Sequence, residues 1–102
     1  MQDLRELRDR LRQFVAERDW EKFHSPKNLA MALSVEASEL VELFQWLSEE
    51  QSAAADEKLR RRAEEEMADV LWFLVRIADR LDIDLLAASE AKFARNTEKY
   101  PA

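Results

Sequence analysis

The chain contains no glycine and only two prolines, Pro26 and Pro101, in 102 residues. Glycine and proline supply most of the tight turns that join short β-strands, so a chain almost free of both cannot make many of them. The abundant residues are Ala, Leu, Glu and Arg, which are strong helix formers. The sequence therefore predicts an all-α protein with few connections.

Apolar residues at helical spacing indicate four helices in one domain that covers residues 1–102. We expect them to run from Asp3 to about Arg18, from Pro26 to about Leu47, from Asp56 to Leu81, and from an N-cap at Asp82 or Asp84 to about Glu98. Ser25 is a good N-cap for the second helix, and Pro26 suits its first turn. The polar stretch SEEQSAAADEK is expected to be a loop. Four helices with short links predict a bundle-type protomer.

Composition excludes several kinds of site. There is no cysteine, so disulfides, thiolate metal sites and thiol nucleophiles are impossible. The first ten residues are charged, and no long apolar run follows, so we expect a cytoplasmic protein that does not use a membrane. A net charge of −6 disfavours general binding to nucleic acid polymers. A small anion would need a local Lys, Arg or bound cation.

Acidic residues interrupt the apolar stripes of two predicted helices. In the second helix Glu36 falls near the centre of the stripe and Glu39 at its edge, and in the third Glu66 and Asp69 repeat this placement. The stripe residues are Leu29, Leu33, Leu40, Leu43 and Leu47 in the second helix, and Ala63, Val70, Phe73, Leu74 and Ile77 in the third. Two acid-x-x-acid pairs are thus expected on helices that face each other.

Converging carboxylates in an apolar setting repel one another and lose hydration, so each must take up a proton or meet a cation. Ligation by carboxylates alone suits Mg²⁺, with Mn²⁺ as a substitute. Two alternatives stay open. The acids could be ordinary solvated faces, or they could belong to a di-iron site. The second normally needs Glu-x-x-His motifs, and the only histidine, His24, lies outside any such motif.

Aromatic residues surround the start of the second helix, and basic residues lie near the C-terminus. Trp20, Phe23 and His24 either staple the preceding loop to the core or line a pocket, and Trp46 lies on the Glu39 side two turns further along. The C-terminal residues that could bind phosphate are Arg95, Asn96 and Lys99, of which Arg95 and Lys99 share a helix face. Otherwise they form a charged helix end, where cations are favourable in any case.

In these motifs the chain resembles the all-α nucleoside triphosphate pyrophosphohydrolases of the MazG-like family. EASE at residues 36–39 and EMAD at residues 66–69 match the E-x-x-E…E-x-x-D signature of that family. The words RDWEKFHSPKNLAMAL, ELVELFQW, EEMADVLWFLV and NTEKYP are similar to its dCTP pyrophosphatase branch. The similarity covers the chain from about Phe14 to Pro101.

The resemblance implies Mg²⁺-dependent cleavage of a nucleoside triphosphate, such as dCTP or a related pyrimidine deoxynucleotide, to the monophosphate and pyrophosphate. It implies that Glu36, Glu39, Glu66 and Asp69 bind the metal, and that either Glu39 or Glu36 activates water. It also implies a nucleoside pocket and phosphate contacts formed by Trp20, Phe23, His24, Trp46, Phe73, Arg95, Asn96 and Lys99. Phe73 stands where dCTP-type relatives carry a tyrosine. Assembly into a homodimer or a dimer of dimers, with sites built across subunits, is implied as well.

Two rival hypotheses remain. The substrate could be dUTP or an oxidised or other non-standard nucleotide. Alternatively, the chain could be a non-catalytic helical interaction module whose acids hold a structural ion.

Overall fold

The structure is a computed structural model that describes residues 1–102, and it consists of helices joined by short connections. The elements are α1 (Leu4–Glu17), a 3₁₀ turn (Glu21–Phe23), α2 (Pro26–Glu42), α3 (Glu49–Ala53), α4 (Glu57–Arg80) and α5 (Leu85–Lys99). There is no strand, so the all-α prediction is confirmed. No helix combines the length and apolar character needed to span a bilayer.

Every α-helix begins with a short polar side chain that accepts a hydrogen bond from a backbone N–H in the first turn. The capping residues are Asp3, Ser25, Ser48, Asp56 and Asp84. The predicted cap at Ser25 followed by Pro26 is confirmed. Of the two candidates for the last helix, Asp84 is the cap, because its carboxylate accepts from the N–H of Ala87 at 3.0 Å.

The predicted C-terminal end of α2 was wrong, and so was the loop that was expected to follow. The helix ends at Glu42 rather than Leu47, and turns continue to Ser48. Ser48 and Gln51 form a capping box that starts the short helix α3. An N-cap residue has extended backbone angles, here φ −70° and ψ 164°, so the chain cannot continue as one helix from α2 into α3.

Two helices end without glycine by placing an aspartate in the left-handed region. Asp19 after α1 has φ 55°, and Asp82 after α4 has φ 54°. Aspartate tolerates this conformation better than most residues because its short polar side chain can bond locally. These aspartates therefore provide the sharp reversals that a chain lacking glycine needs.

The centre of the fold is the long helix α4, along which α2 packs extensively and α1 less so. Leu7 and Leu11 of α1 meet Val75 of α4 in a small core, and Leu29 of α2 is the most deeply buried large side chain. Only 7 of 102 residues are buried, and none of them lies in α5. Two predicted stripe residues, Leu47 and Leu74, remain exposed in the single chain.

Candidate metal centre

The packing of α2 against α4 brings three carboxylates from the predicted acid pairs together. Glu36, Glu39 and Glu66 each offer an oxygen atom, and the three oxygens lie within 4.8 Å of one another. All three side chains are partly buried. The i, i+3 spacing puts Glu36 and Glu39 on one face of α2, and α4 supplies Glu66 from the opposite side.

Two oxygens of this cluster are buried without any hydrogen-bond partner, Oε2 of Glu36 and Oε2 of Glu66. Burial and, after it, the neighbouring Glu39 carboxylate raise the pKa of Glu36 to about 7. Burial followed by Glu39 also raises the pKa of Glu66 above its ordinary value. A buried carboxylate oxygen without a partner has lost hydration and gained no bond in return, so these two oxygens favour a proton or a cation at the cluster.

The donor set fits a divalent cation. Carboxylate oxygens are the preferred ligands of hard ions, and a cation between α2 and α4 would satisfy both orphaned oxygens while cancelling the repulsion. Asp69 is not one of the three close carboxylates, although its charge contributes to the raised pKa of Glu36 and of Glu66. Its role as a fourth ligand stays a prediction.

Two of the predicted pocket aromatics differ in how firmly they are held. The ring of Trp20 packs edge-on against Phe14 of α1, with 5.8 Å between centroids, so it does staple the loop to the helix. It nevertheless keeps 42% of its surface exposed, and Phe23 keeps 58%. Both can therefore offer a ring to a ligand.

The other predicted substrate residues on α4, on α5 and after α2 form no hydrogen bond or ion pair with the carboxylate cluster. Trp46 follows the end of α2 and is 86% exposed, whereas Phe73 is partly buried in α4. No hydrogen bond or ion pair joins Arg95, Asn96 or Lys99 of α5 to the acidic cluster. Their predicted roles are not tested by this arrangement.

Sequence reasoning missed a charged network on α4. Arg76 is 5% exposed and donates from Nη1 to Oδ2 of Asp79 at 3.2 Å, and Arg12 of α1 binds the same carboxylate. The Nε of Arg76 also donates to Nδ1 of His24 at 3.4 Å. The sequence contained one indication of this network, because Arg76 and Asp79 carry opposite charges three residues apart within the apolar run of α4.

Comparison with known proteins places this geometry in a family. A sequence profile described as the MazG-like family matches residues 31–102, which include all four predicted metal ligands. The chain belongs to the MazG-like family. The resemblance predicted from its acidic motifs is thus confirmed.

Relatives of this MazG-like chain extend the match to its N-terminal part. It is 44% identical to dCTP pyrophosphatase 1 of Rattus norvegicus over 99% of its length and 43% identical to dCTP pyrophosphatase 1 of Homo sapiens over 100%. The chain spans 59% of the length of either relative. A crystal structure of a pyrophosphatase from Archaeoglobus fulgidus matches with a TM-score of 0.91 and 41% identity, covering 96% of this chain and 92% of that one.

Proposed function

We propose that this MazG-like protein is a Mg²⁺-dependent nucleoside triphosphate pyrophosphohydrolase that removes a pyrimidine deoxynucleotide from the cellular pool. One observation carries the proposal: three carboxylates from two helices converge within 4.8 Å, and two of their buried oxygens lack any partner. Relatives with this chain's fold and sequence are named pyrophosphatases. Without a cation, a partly buried cluster of carboxylates would lower the stability of the fold, and perturbed acids of this kind are typical of functional sites.

Glu36, Glu39, Glu66 and Asp69 are proposed to hold the metal, with Mn²⁺ as a possible substitute. When bound, such an ion neutralises triphosphate charge and polarises the phosphorus that water attacks. An acidic chain of net charge −6 would otherwise repel its substrate.

Glu39 is proposed to orient the attacking water and accept its proton, and Glu36 can share that role. Without a cation, burial and then Glu39 raise the pKa of Glu36 to about 7, and a bound cation would favour its carboxylate form, which is the form that accepts a proton. The attack would break the bond between the α-phosphorus and its bridging oxygen, leaving a monophosphate and pyrophosphate.

The preferred substrate is proposed to be dCTP or a modified pyrimidine deoxynucleotide, as the names of the curated relatives suggest. Trp20, Phe23, His24, Trp46 and Phe73 would contact the nucleoside. Phe73 cannot donate a hydrogen bond, so base selection must depend on other polar groups. The phosphates would be bound by Arg95, Asn96 and Lys99.

The protein is proposed to act in the cytoplasm as a homodimer or homotetramer, with the site completed by a second chain. Two observations support this. Trp46 is exposed in the single chain, and no hydrogen bond or ion pair joins α5 to the acidic cluster. A second chain could bring these residues to the site. The accessible surface of 8276 Å² for one chain gives further support.

The test is a panel of deoxynucleotides and modified nucleotides with Mg²⁺, in which the phosphorus products are identified. We expect pyrophosphate and a monophosphate, with dCTP or a close pyrimidine relative turned over fastest. Faster turnover of dUTP or an oxidised nucleotide would establish the rival substrate. Release of orthophosphate, or no turnover at all, would reject the proposal, and Mg²⁺ binding without turnover would indicate an interaction module.

Glu39→Gln separates catalysis from structure. We expect it to lower kcat by a factor of about 100 or more, the range for a lost general base, while the helical content is retained. Glu42→Gln is the matched control, since Glu42 lies three residues further along α2 and is exposed. Equal loss in both variants, or unchanged activity in Glu39→Gln, would contradict the assigned role.

A further inference from the structure

Arg76 is the only buried charged residue, and it lies on α4 well away from the acidic cluster. Its guanidinium is shared between two partners, because Nη1 donates to Oδ2 of Asp79 at 3.2 Å and Nε donates to Nδ1 of His24 at 3.4 Å. Asp79 is itself fixed by Arg12, whose Nε donates to Oδ2 at 2.7 Å. The network therefore fixes the orientation of the Arg76 guanidinium, which contacts His24 in the loop before α2.

The contact with Arg76 determines which nitrogen of His24 carries the proton. A guanidinium has five N–H donors, no acceptor, and stays protonated in proteins. Nδ1 of His24 must therefore accept with its lone pair, which leaves the proton of the neutral imidazole on Nε2. Burial, and then the positive charges of Arg76 and Arg80, lower the pKa of His24, and only Glu21 opposes them. The neutral ring thus prevails at neutral pH.

Nε2 of His24 is left free for a ligand. This nitrogen has no hydrogen-bond partner in the chain. The buried polar atoms without a partner are both carboxylate oxygens, so Nε2 is accessible to solvent. The residue follows Phe23, which is 58% exposed, and precedes the Ser25 cap of α2. An aromatic ring and a fixed N–H donor thus lie next to each other in the sequence.

We propose that Arg76 is a positioning residue that fixes His24 as the Nε2–H tautomer, so that His24 presents one hydrogen-bond donor to an acceptor atom of the nucleoside. The part concerning the tautomer stands on the network alone, whereas the part concerning the nucleoside rests on the proposed function. Arg76 acts through His24 and touches no substrate atom itself.

The first test is nitrogen NMR of the metal-free protein with labelled histidine. His24 is the only histidine, so its two ring nitrogens give the only imidazole resonances. We expect a pyrrole-like Nε2 and a pyridine-like Nδ1 in the wild type, and a mixed-tautomer spectrum in Arg76→Lys, which keeps the charge but loses the planar fork. A protonated Nδ1 in the wild type, or a spectrum unchanged by Arg76→Lys, would overturn the proposal.

The control is Arg80→Lys, the same chemical change four residues along α4, at an exposed arginine that makes no hydrogen bond with His24. We expect its spectrum to match the wild type. A tautomer change of equal size in Arg80→Lys would show that general charge, and not the Arg76 bond, controls the imidazole, and the proposal would fail.

The second test asks what the donor binds. Addition of dCMP should shift the Nε2 resonance, and pyrophosphate alone should not. With the best nucleotide substrate, Arg76→Lys should raise KM about three- to tenfold at nearly constant kcat, the range for one uncharged hydrogen bond. A shift with pyrophosphate but not dCMP, or a loss confined to kcat, would overturn the assignment to the nucleoside.

A third pair of variants avoids the buried network, in case Arg76→Lys fails to fold. The amide nitrogen of glutamine can take the place of Nε2, whereas that of asparagine is too short to do so. We expect His24→Asn to raise KM more than His24→Gln does, and the reverse order would reject the donor role. If no nucleotide is turned over, the proposed function fails, while the spectrum still decides the tautomer.

Discussion

At the scale of single residues, the positions of the acidic side chains on α2 and α4 are the feature that the sequence predicts best. The wheel positions of Glu36 and Glu66 within apolar stripes could be predicted, because helical periodicity alone fixes which side chains share a face. The Arg76–His24 contact could not be predicted, since it joins residues 52 positions apart and depends on how the loop after α1 folds back. Periodicity describes a helix face but not which loop reaches it.

The raised pKa of Glu36 predicts an unusual dependence of stability on pH. The folded chain keeps a proton that the unfolded chain releases near pH 4.5, so the free energy of unfolding falls as pH rises from there to about 7. We expect the Tm of the metal-free protein to fall across this range in calorimetry. Added Mg²⁺ should raise Tm more at about pH 8 than at about pH 5, because ligation needs deprotonated carboxylates.

Glu36→Gln provides the control for that dependence. Its amide does not titrate, so the part of the decline in Tm that is due to Glu36 should disappear, whereas the part due to the raised pKa of Glu66 should remain. A decline of the same size in this variant would show that another group is responsible.

The lowered pKa of Asp79 predicts that the free energy of unfolding falls in acid. Its hydrogen bond with Arg12, above all, lowers the pKa of its carboxyl group, so its contribution to stability is complete above the ordinary value of 3.8 and is lost as pH falls through the lower folded value. Asp79→Asn should cost about 3 kcal/mol at neutral pH, since it leaves buried Arg76 without a counter-charge. Urea unfolding measures this.

Asp9→Asn is the matched control for Asp79→Asn. Asp9 also pairs with Arg12, but its side chain is 59% exposed, so we expect a change of only about 0.5 kcal/mol or less. Equal costs in the two variants would contradict the importance of the buried network.

At the scale of elements, the long helices were predictable and their connections less so. The apolar spacing located α1, α4 and α5 to within a residue or two, because several turns contribute to each pattern. The interruption at Glu42 was missed because four apolar or aromatic residues follow it within the next five positions and prolong the pattern. The start of α3 was marked in the sequence, however, by Ser48 followed three residues later by Gln51, a capping box.

That capping box can be tested by substitution. Ser48→Ala removes the acceptor for the N–H of Gln51, which lies 3.1 Å from the hydroxyl oxygen, and should lower the free energy of unfolding by about 1 kcal/mol. Ser38→Ala is the control, because the Ser38 hydroxyl bonds only the carbonyl of Ser34 within α2, and alanine is the better helix former. A loss in Ser38→Ala as large as that in Ser48→Ala would refute this account.

At the scale of the whole molecule, the single chain is more open than a compact monomer of its length. Its radius of gyration is 16.4 Å, whereas a compact chain of this length has about 13 Å. Its accessible surface is 8276 Å², compared with roughly 6,000 Å² for a compact monomer of this mass. Apolar side chains contribute much of this surface, including Met31, Val35, Val41, Met67, Leu86 and Phe93. The excess is comparable with an obligate subunit interface.

We therefore expect light scattering to give a mass at least twice 12.0 kDa at micromolar concentration. Met67→Glu should dissociate the assembly, because Met67 is 58% exposed and lines an apolar groove with Leu40 and Phe44. Lys58→Gln makes the same change in charge at an exposed polar position of α4 and should leave the mass unchanged. A 12.0 kDa wild-type species would refute assembly.

The left-handed aspartates that follow α1 and α4 are positions where the thermal stability of the chain can be raised by substitution. A left-handed residue other than glycine carries a conformational penalty of about 1 kcal/mol, and a carboxylate beside a helix C-terminus also opposes the dipole. Asp19 and Asp82 are subject to both effects, although aspartate lowers the first of them through its short polar side chain. We expect substitution of either aspartate by glycine to raise heat tolerance, and neither change touches the carboxylate cluster between α2 and α4.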